Sequence, residues 1–204
     1  MDLKNITIET HPLEPFLPKN ARILMLGSFP PARERWSMDF FYPNWINDMW
    51  RIWGFIFFDD KEHFVAENTA GKKTKRFDKE KCTAFAGEKG IAMYDTAYEI
   101  RRLKNNASDK FLEIVTPADI SKLLSQIPEC TAIVTTGQKA TDVIVETFGS
   151  EEPAVGGHTE ISTDGRKLRF WRMPSSSRAY PLALEKKAGF YREMFTQEHM
   201  IDNQ

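Results

Sequence analysis

The chain has 204 residues, 41% hydrophobic and 12% aromatic, and a formal net charge of −1. That is enough for one domain with a sizeable core, and it excludes a molecule drawn by overall charge to nucleic acid or membrane, so any polyanion site must be local. Cys82 and Cys130 have no short spacing, and His11, His63, His158 and His199 are scattered, which argues against a zinc ribbon, an iron–sulfur cluster or a disulfide scaffold. No apolar run reaches membrane-spanning length and the N-terminus lacks a basic-then-apolar signal pattern, so a single cytoplasmic domain over 1–204 is expected.

In chain order, the first apolar run, 22–26, reads as a buried strand that stops at Gly27 and runs into Ser28-Phe29-Pro30-Pro31. "NDMWRIWGFIF" then puts Met49, Trp50, Trp53 and Phe57 on one helical stripe. Segment 59–90 is polar and lysine-rich and reads as a helix–loop insertion. It holds the densest basic run (Lys72, Lys73, Lys75, Arg76), which suits either a solvated face or phosphate contacts. Runs 91–94 and 132–136 are two more buried strands, closed by Asp95 and Gly137. Between them, "TPADISKLLSQI" predicts a helix with Thr116 as N-cap, Pro117 at the first position and Asp119 at the third. "QKATDVIVETFG" predicts a helix that ends at Gly149. Segment 150–166 reads as a second insertion, with Asp164-Gly165 turning a hairpin into the last strand, 168–173. "PLALEKKAGFYREMF" closes the chain with a helix whose apolar positions are Leu184, Ala188, Tyr191 and Phe195.

Strands alternating with helices predict an α/β fold with a central four-stranded, mostly parallel sheet. Short continuous apolar runs suit strands covered on both faces. In open α/β sheets, ligands bind beyond the carboxyl ends of the strands. The site is therefore expected at 28–31, 95–96, 136–138 and 174–177.

Five stretches carry a resemblance. "LGSFPP", "DFFYPNWINDMWRI", "GIAMYD", "IVTTGQKA" and "RMPSSSRAYPLALEKKAGFYREMF" occur in this order, each at or near a predicted strand end. Together they resemble the uracil-DNA glycosylase superfamily, nearest its mismatch-specific uracil and hypoxanthine-DNA glycosylase branches. The resemblance implies a three-layer α/β/α sandwich around four parallel strands. It also implies a monofunctional DNA glycosylase that flips a deaminated base, uracil or hypoxanthine, out of the helix and hydrolyses its N-glycosidic bond in base excision repair. The implied partner is DNA with a damaged or mismatched base, and the implied protein is a monomer without metal or redox cofactor. No lysine nucleophile sits in the matched motifs, so lyase chemistry is not expected.

The resemblance also assigns residues. The base pocket would be built from Gly27, Ser28, Phe29, Phe40 and Asp95, with Phe40 as the stacking aromatic. Ser175, Ser176, Ser177 and Arg178 would meet the DNA backbone or the gap in the stack. Many family members carry a water-positioning Asn or Asp as the third residue of the first loop, where this chain has Phe29. The hypoxanthine-type branch uses an Asn in a motif like H-P-R-N-x-F-W. Asn47 matches that Asn if two residues are inserted, Asn44, directly after Pro43, needs no such insertion, and Tyr42 stands at the histidine. Asn47 is taken as the catalytic candidate.

Residue chemistry alone leaves plainer roles open. Asn47 suits a cap for a helix starting at Asp48, and Phe40 and Phe41 suit a core. The three serines suit a turn and the N-cap of the last helix, and Asp95 suits a turn or cap. The alternative function is a superfamily member that binds nucleic acid or nucleotide without cutting, favoured by Phe29. The discriminating feature is whether Asn47 or Asn44 reaches the pocket that holds Phe29 and Ser175.

Overall fold

The computed structural model describes residues 6–104 and 109–201. Its strands are β1 (Ile8–Thr10), β2 (Ile23–Gly27), β3 (Val65–Glu67), β4 (Lys73–Phe77), β5 (Ile91–Asp95), β6 (Ala97–Arg102), β7 (Leu112–Pro117), β8 (Ala132–Thr136), β9 (His158–Thr163) and β10 (Arg166–Met173). Its helices are α1 (Met49–Phe58), α2 (Lys79–Glu88), α3 (Ile120–Ser125), α4 (Gln138–Phe148) and α5 (Leu184–Gln197).

All four apolar runs become strands of one sheet, but that sheet has five strands rather than four, in the order β5-β2-β8-β10-β9. Strands β5, β2, β8 and β10 are parallel. Strand β9 adds an antiparallel edge from within segment 150–166. Its alternation of exposed and buried residues makes it one-sided, so it left no continuous apolar run to find. Asp164 and Gly165, with φ of 50° and 75°, turn the β9–β10 hairpin.

The parallel strands are buried because helices and neighbouring segments cover them. Ile23, Leu24, Met25, Leu26, Ile91, Ala92 and Met93 have no exposed surface. Helix α1 packs on α5, α4 against β8, and α5 against β10. Register aligns the carboxyl ends: Gly27 lies opposite Asp95, and Thr136 opposite Met173.

Three further expectations change. Segment 59–90 forms the β3–β4 hairpin before α2, where only a helix and loop were expected. Phe77 is the buried member of β4, and the Lys-rich remainder gives it no hydrophobic signature. Helix α3 is capped by Asp119, which accepts from the Lys122 N–H at 2.9 Å, not by Thr116. Thr116 and Pro117 instead end β7, within a second sheet β1-β6-β7.

Candidate functional site

The carboxyl ends of the four parallel strands converge on one cleft of about 570 Å³. Gly27, Ser28 and Phe29 from the β2 end, Asp95 from β5, Thr136 from β8 and Ser175–Ser177 after β10 line it: all four strand ends contribute. Tyr42, Asn44, Ile46 and Asn47 complete the opposite wall.

The β2 loop is held rigidly. Arg102 grips Glu9 with two bonds of 2.9 and 3.0 Å and also donates to the Pro30 carbonyl at 3.1 Å. Phe29 is 8% exposed and packs in a second apolar cluster with Ala97, Ile100 and Leu112. It is therefore a wall of the cleft and has no polar atom to offer a water.

Asp95 is the acidic group of the cleft. Its Oδ2 lies 3.0 Å from His11 Nε2, and the His11 side chain has no exposed surface. His11 follows β1 and sits among the rings of Phe29, Phe41 and Tyr94, with centroids 5.3, 6.3 and 4.5 Å away. Asp95 Oδ1 rests over Gly27, where a Cβ would fall 2.4 Å from it. Glycine at 27 is thus a requirement of close approach between two strand ends. The sequence reading missed His11, because nothing in its spacing announces a partner 84 positions away.

Asn47 lines the cleft, and its Oδ1 accepts at 2.9 Å from the N–H of Met49, the first residue of α1, although the N-cap position itself is Asp48, whose side chain makes no cap bond. The helix itself starts at Met49 rather than Asp48. The bond from Met49 occupies the carboxamide oxygen and leaves the NH₂ group as the side chain's remaining donor. Asn44 caps its own turn in the same way, accepting from the Ile46 N–H at 3.1 Å. Both Asn47 and Asn44 line the cavity that holds Phe29 and Ser175.

Two polar bridges tie the walls together. Asn47 pairs with Ser177 as an isolated β-bridge, and the Asp48 N–H donates to the Ser176 carbonyl at 2.8 Å. Beneath them Asp48 accepts from Arg178 Nε at 2.8 Å and from Lys187 Nζ at 3.3 Å, while Lys187 also donates to the Ser177 carbonyl at 2.7 Å.

Three expected placements differ. Phe40 is not in the cleft: it packs against Phe16, Phe41 and Trp50 in the core, and its neighbour Phe41 lines the cavity instead. The serines do not cap the last helix, whose N-cap is Ala183. They form two tight turns, Ser175 Oγ accepting from the Ser177 N–H and Ser177 Oγ from the Ala179 N–H, each at 3.2 Å. Arg178 points away from this cavity into a second hollow with Trp45, Arg51, Lys61 and Glu62. There Arg51 lies over the Trp45 ring at 4.1 Å, and burial together with Arg178 draws its guanidinium down to about 10.

Tyr42 stands out on the opposite wall. Its backbone is left-handed, with φ of 52°, an uncommon conformation for a bulky residue. Its hydroxyl is buried beside the Thr136 side chain, and burial raises its pKa well above the usual phenol value, with Thr136 partly offsetting the rise.

No protein-family model matches the sequence, and no curated protein matches it. Solved structures do match. Among them is a solution NMR structure of "a putative Uracil DNA glycosylase" from Methanosarcina acetivorans, 19% identical, with a TM-score of 0.60 over 95% of this chain and 99% of that one. The chain shares the fold of that structure. On that fold, the cleft lies at the carboxyl edge of the sheet, where open α/β proteins bind ligands. Among the described residues, no helix is long and apolar enough to cross a membrane.

Proposed function

We propose that the chain is a monofunctional DNA glycosylase of one uracil-DNA-glycosylase-like domain that excises a deaminated base, uracil or hypoxanthine, in base excision repair. In this reading segments 59–90 and 150–166 are insertions on a three-layer α/β/α frame, and the protein is a cytoplasmic monomer that needs no metal or redox cofactor. The observation that carries it is the shared cleft: Asn47, Asp95, Phe41 and Ser175 line one cavity beside Phe29. A cavity of several hundred Å³, mostly apolar with a few polar groups, suits a flipped nucleotide.

The reaction adds water across the glycosidic bond. The water oxygen bonds to C1′ of the deoxyribose as the C1′–N bond breaks, and the bonding electron pair leaves with the base. One water proton passes to the base anion, giving an abasic sugar and the free base. Flipping costs a few kcal/mol, and stacking of the base on an aromatic face returns about 1–3 kcal/mol. Phe41 is assigned that face. Asn47, its rotamer fixed by the Met49 N–H, is assigned the water through its NH₂ group. Gly27 and Ser28 let the base approach the β2 end, and the turns at Ser175–Ser177 meet the flanking backbone, with Arg178 beyond them.

The test uses labelled oligonucleotides, single- and double-stranded, carrying uracil, hypoxanthine, xanthine or a G·T mismatch. Wild type is expected to cut at one or more of these, and Asn47→Ala to lose that cutting. Binding of the same oligonucleotides with no cutting on any of them would instead support a non-catalytic superfamily member. Phe29 at the usual water-positioning place is the observation in favour of that second reading.

A further inference from the structure

Asp95 and His11 form the most deeply built polar pair of the cleft, and nothing in the proposed hydrolysis yet uses His11. His11 Nδ1 lies 2.9 Å from the Leu13 carbonyl and 3.2 Å from the Leu13 N–H, so the backbone after β1 holds that edge of the ring. With a hydrogen on Nε2, the other edge donates to Asp95 Oδ2 across 3.0 Å. That bond fixes the orientation of the Asp95 carboxyl group. Oδ2 is engaged by His11, and no donor to Oδ1 is found among the described residues. Oδ1 lies over Gly27 at the cleft, so an acceptor with no internal partner is presented there.

Deamination changes one thing at the edge of a base that such an acceptor can sense. Adenine N1 and cytosine N3 are ring nitrogens with a bare lone pair. In hypoxanthine and uracil the same nitrogens carry a hydrogen beside a new carbonyl. A fixed carboxylate oxygen accepts from the ring N–H and repels the lone pair. A free carboxylate would also oppose the negative charge that the departing base acquires, and the bond from His11 draws part of that charge away.

We propose that His11 is a positioning residue that fixes Asp95 as the reader of the ring N–H created by deamination. The inference rests on the glycosylase reading for its substrate, but its test does not require cutting. Oligonucleotides are made with 2′-fluorinated deoxyribose, whose electron-withdrawing fluorine resists loss of the base. They carry either hypoxanthine or unsubstituted purine, which keeps the ring size but leaves N1 bare. Each base is set opposite an abasic site so that pairing drops out of the comparison.

Wild type is expected to bind the hypoxanthine form roughly 10–100-fold more tightly than the purine form, the range for one hydrogen bond to a charged group. His11→Ala should collapse that ratio toward one while remaining folded, because Asp95 is then free to turn. His11→Gln, which keeps an N–H donor, should retain most of it. A ratio unchanged in His11→Ala, or no preference in wild type, overturns the proposal even if hypoxanthine is excised. A preserved preference without excision of any base supports the pair and refutes the hydrolase reading.

Discussion

Asp48 Oδ2 and Lys187 Nζ meet at 3.3 Å in the interior, their side chains 8% and 1% exposed. The pair joins the start of α1 to α5, and through the Ser177 carbonyl it holds the serine turns against the Asn47 wall. Removing one partner of a buried ion pair leaves the other charge uncompensated, at a cost of about 3–5 kcal/mol. Asp48→Ala is therefore expected to lose that much in urea unfolding. Adding Lys187→Met should recover a large part, since no buried ammonium is then left unpaired. A double variant no more stable than Asp48→Ala would refute the pairing as the cause.

Phe40 and Phe41 are neighbours with separate duties. Phe40 rests on Phe16 and Trp50, so Phe40→Leu should lower stability and leave base excision near its wild-type rate. Phe41 faces the cleft, so Phe41→Leu should slow excision by about 5–150-fold, the range for one lost stacking contact. Equal rates in the two variants would remove the stacking role from Phe41.

Gly27→Ala would set a methyl group 2.4 Å from Asp95 Oδ1. Overpacking of this kind costs about 1–3 kcal/mol, and it displaces the carboxylate. Thermal unfolding should show the loss. Adding Asp95→Ala should restore stability without restoring excision. If Gly27→Ala alone excises normally, Asp95 is not needed where it now sits.

Asn47 both bonds the Met49 N–H and is the catalytic candidate, and the two roles separate by substitution. Asn47→Ala should cost about 1 kcal/mol for the lost bond and abolish excision. Asn47→Ser keeps an acceptor for the Met49 N–H, so it should keep stability and still fail to excise. Wild-type turnover by the serine variant would leave Asn47 only the bond to Met49.

The basic run splits in the fold. Lys73 lies 3.4 Å from Glu62 and 3.9 Å from Asp60, and Arg76 donates to the Ser37 carbonyl at 3.2 Å. Lys72 and Lys75 are exposed. If the hairpin meets phosphate, neutralising these two should reduce the slope of log affinity against log salt by about 2. An unchanged slope assigns them to solvent.

The parts of this fold legible in the sequence were those written as continuous apolar runs. Strands β2, β5 and β8 are buried at every position, so each residue reports the same environment, and β10 buries Leu168, Phe170, Trp171 and Met173 between half-buried arginines. Their ends then located the cleft without any motif. Strands β6 and β7 are mostly half-buried, and their mixed residues form no continuous apolar run. Lys187 was invisible for a different reason: lysine is almost never fully buried without a partner, and that partner, Asp48, lies 139 positions earlier. His11 escaped in the same way. The Phe40–Phe41 choice depended on which way two adjacent rings face, which no composition rule decides.

That separation of 139 positions also bears on how the cleft comes into being during synthesis. The strand order brings together ends made early and late, and the cleft's lining runs from Leu13 to Pro181, so no stretch of chain that stops before the serine turns holds the whole site. Contacts between distant segments form slowly because long loops must close first. While α5 is still inside the ribosome, Asp48 has neither Lys187 nor the serine turns to bond with. Until that helix is in place, the serine turns lack the Lys187 bond that ties them to Asp48 and the Asn47 wall.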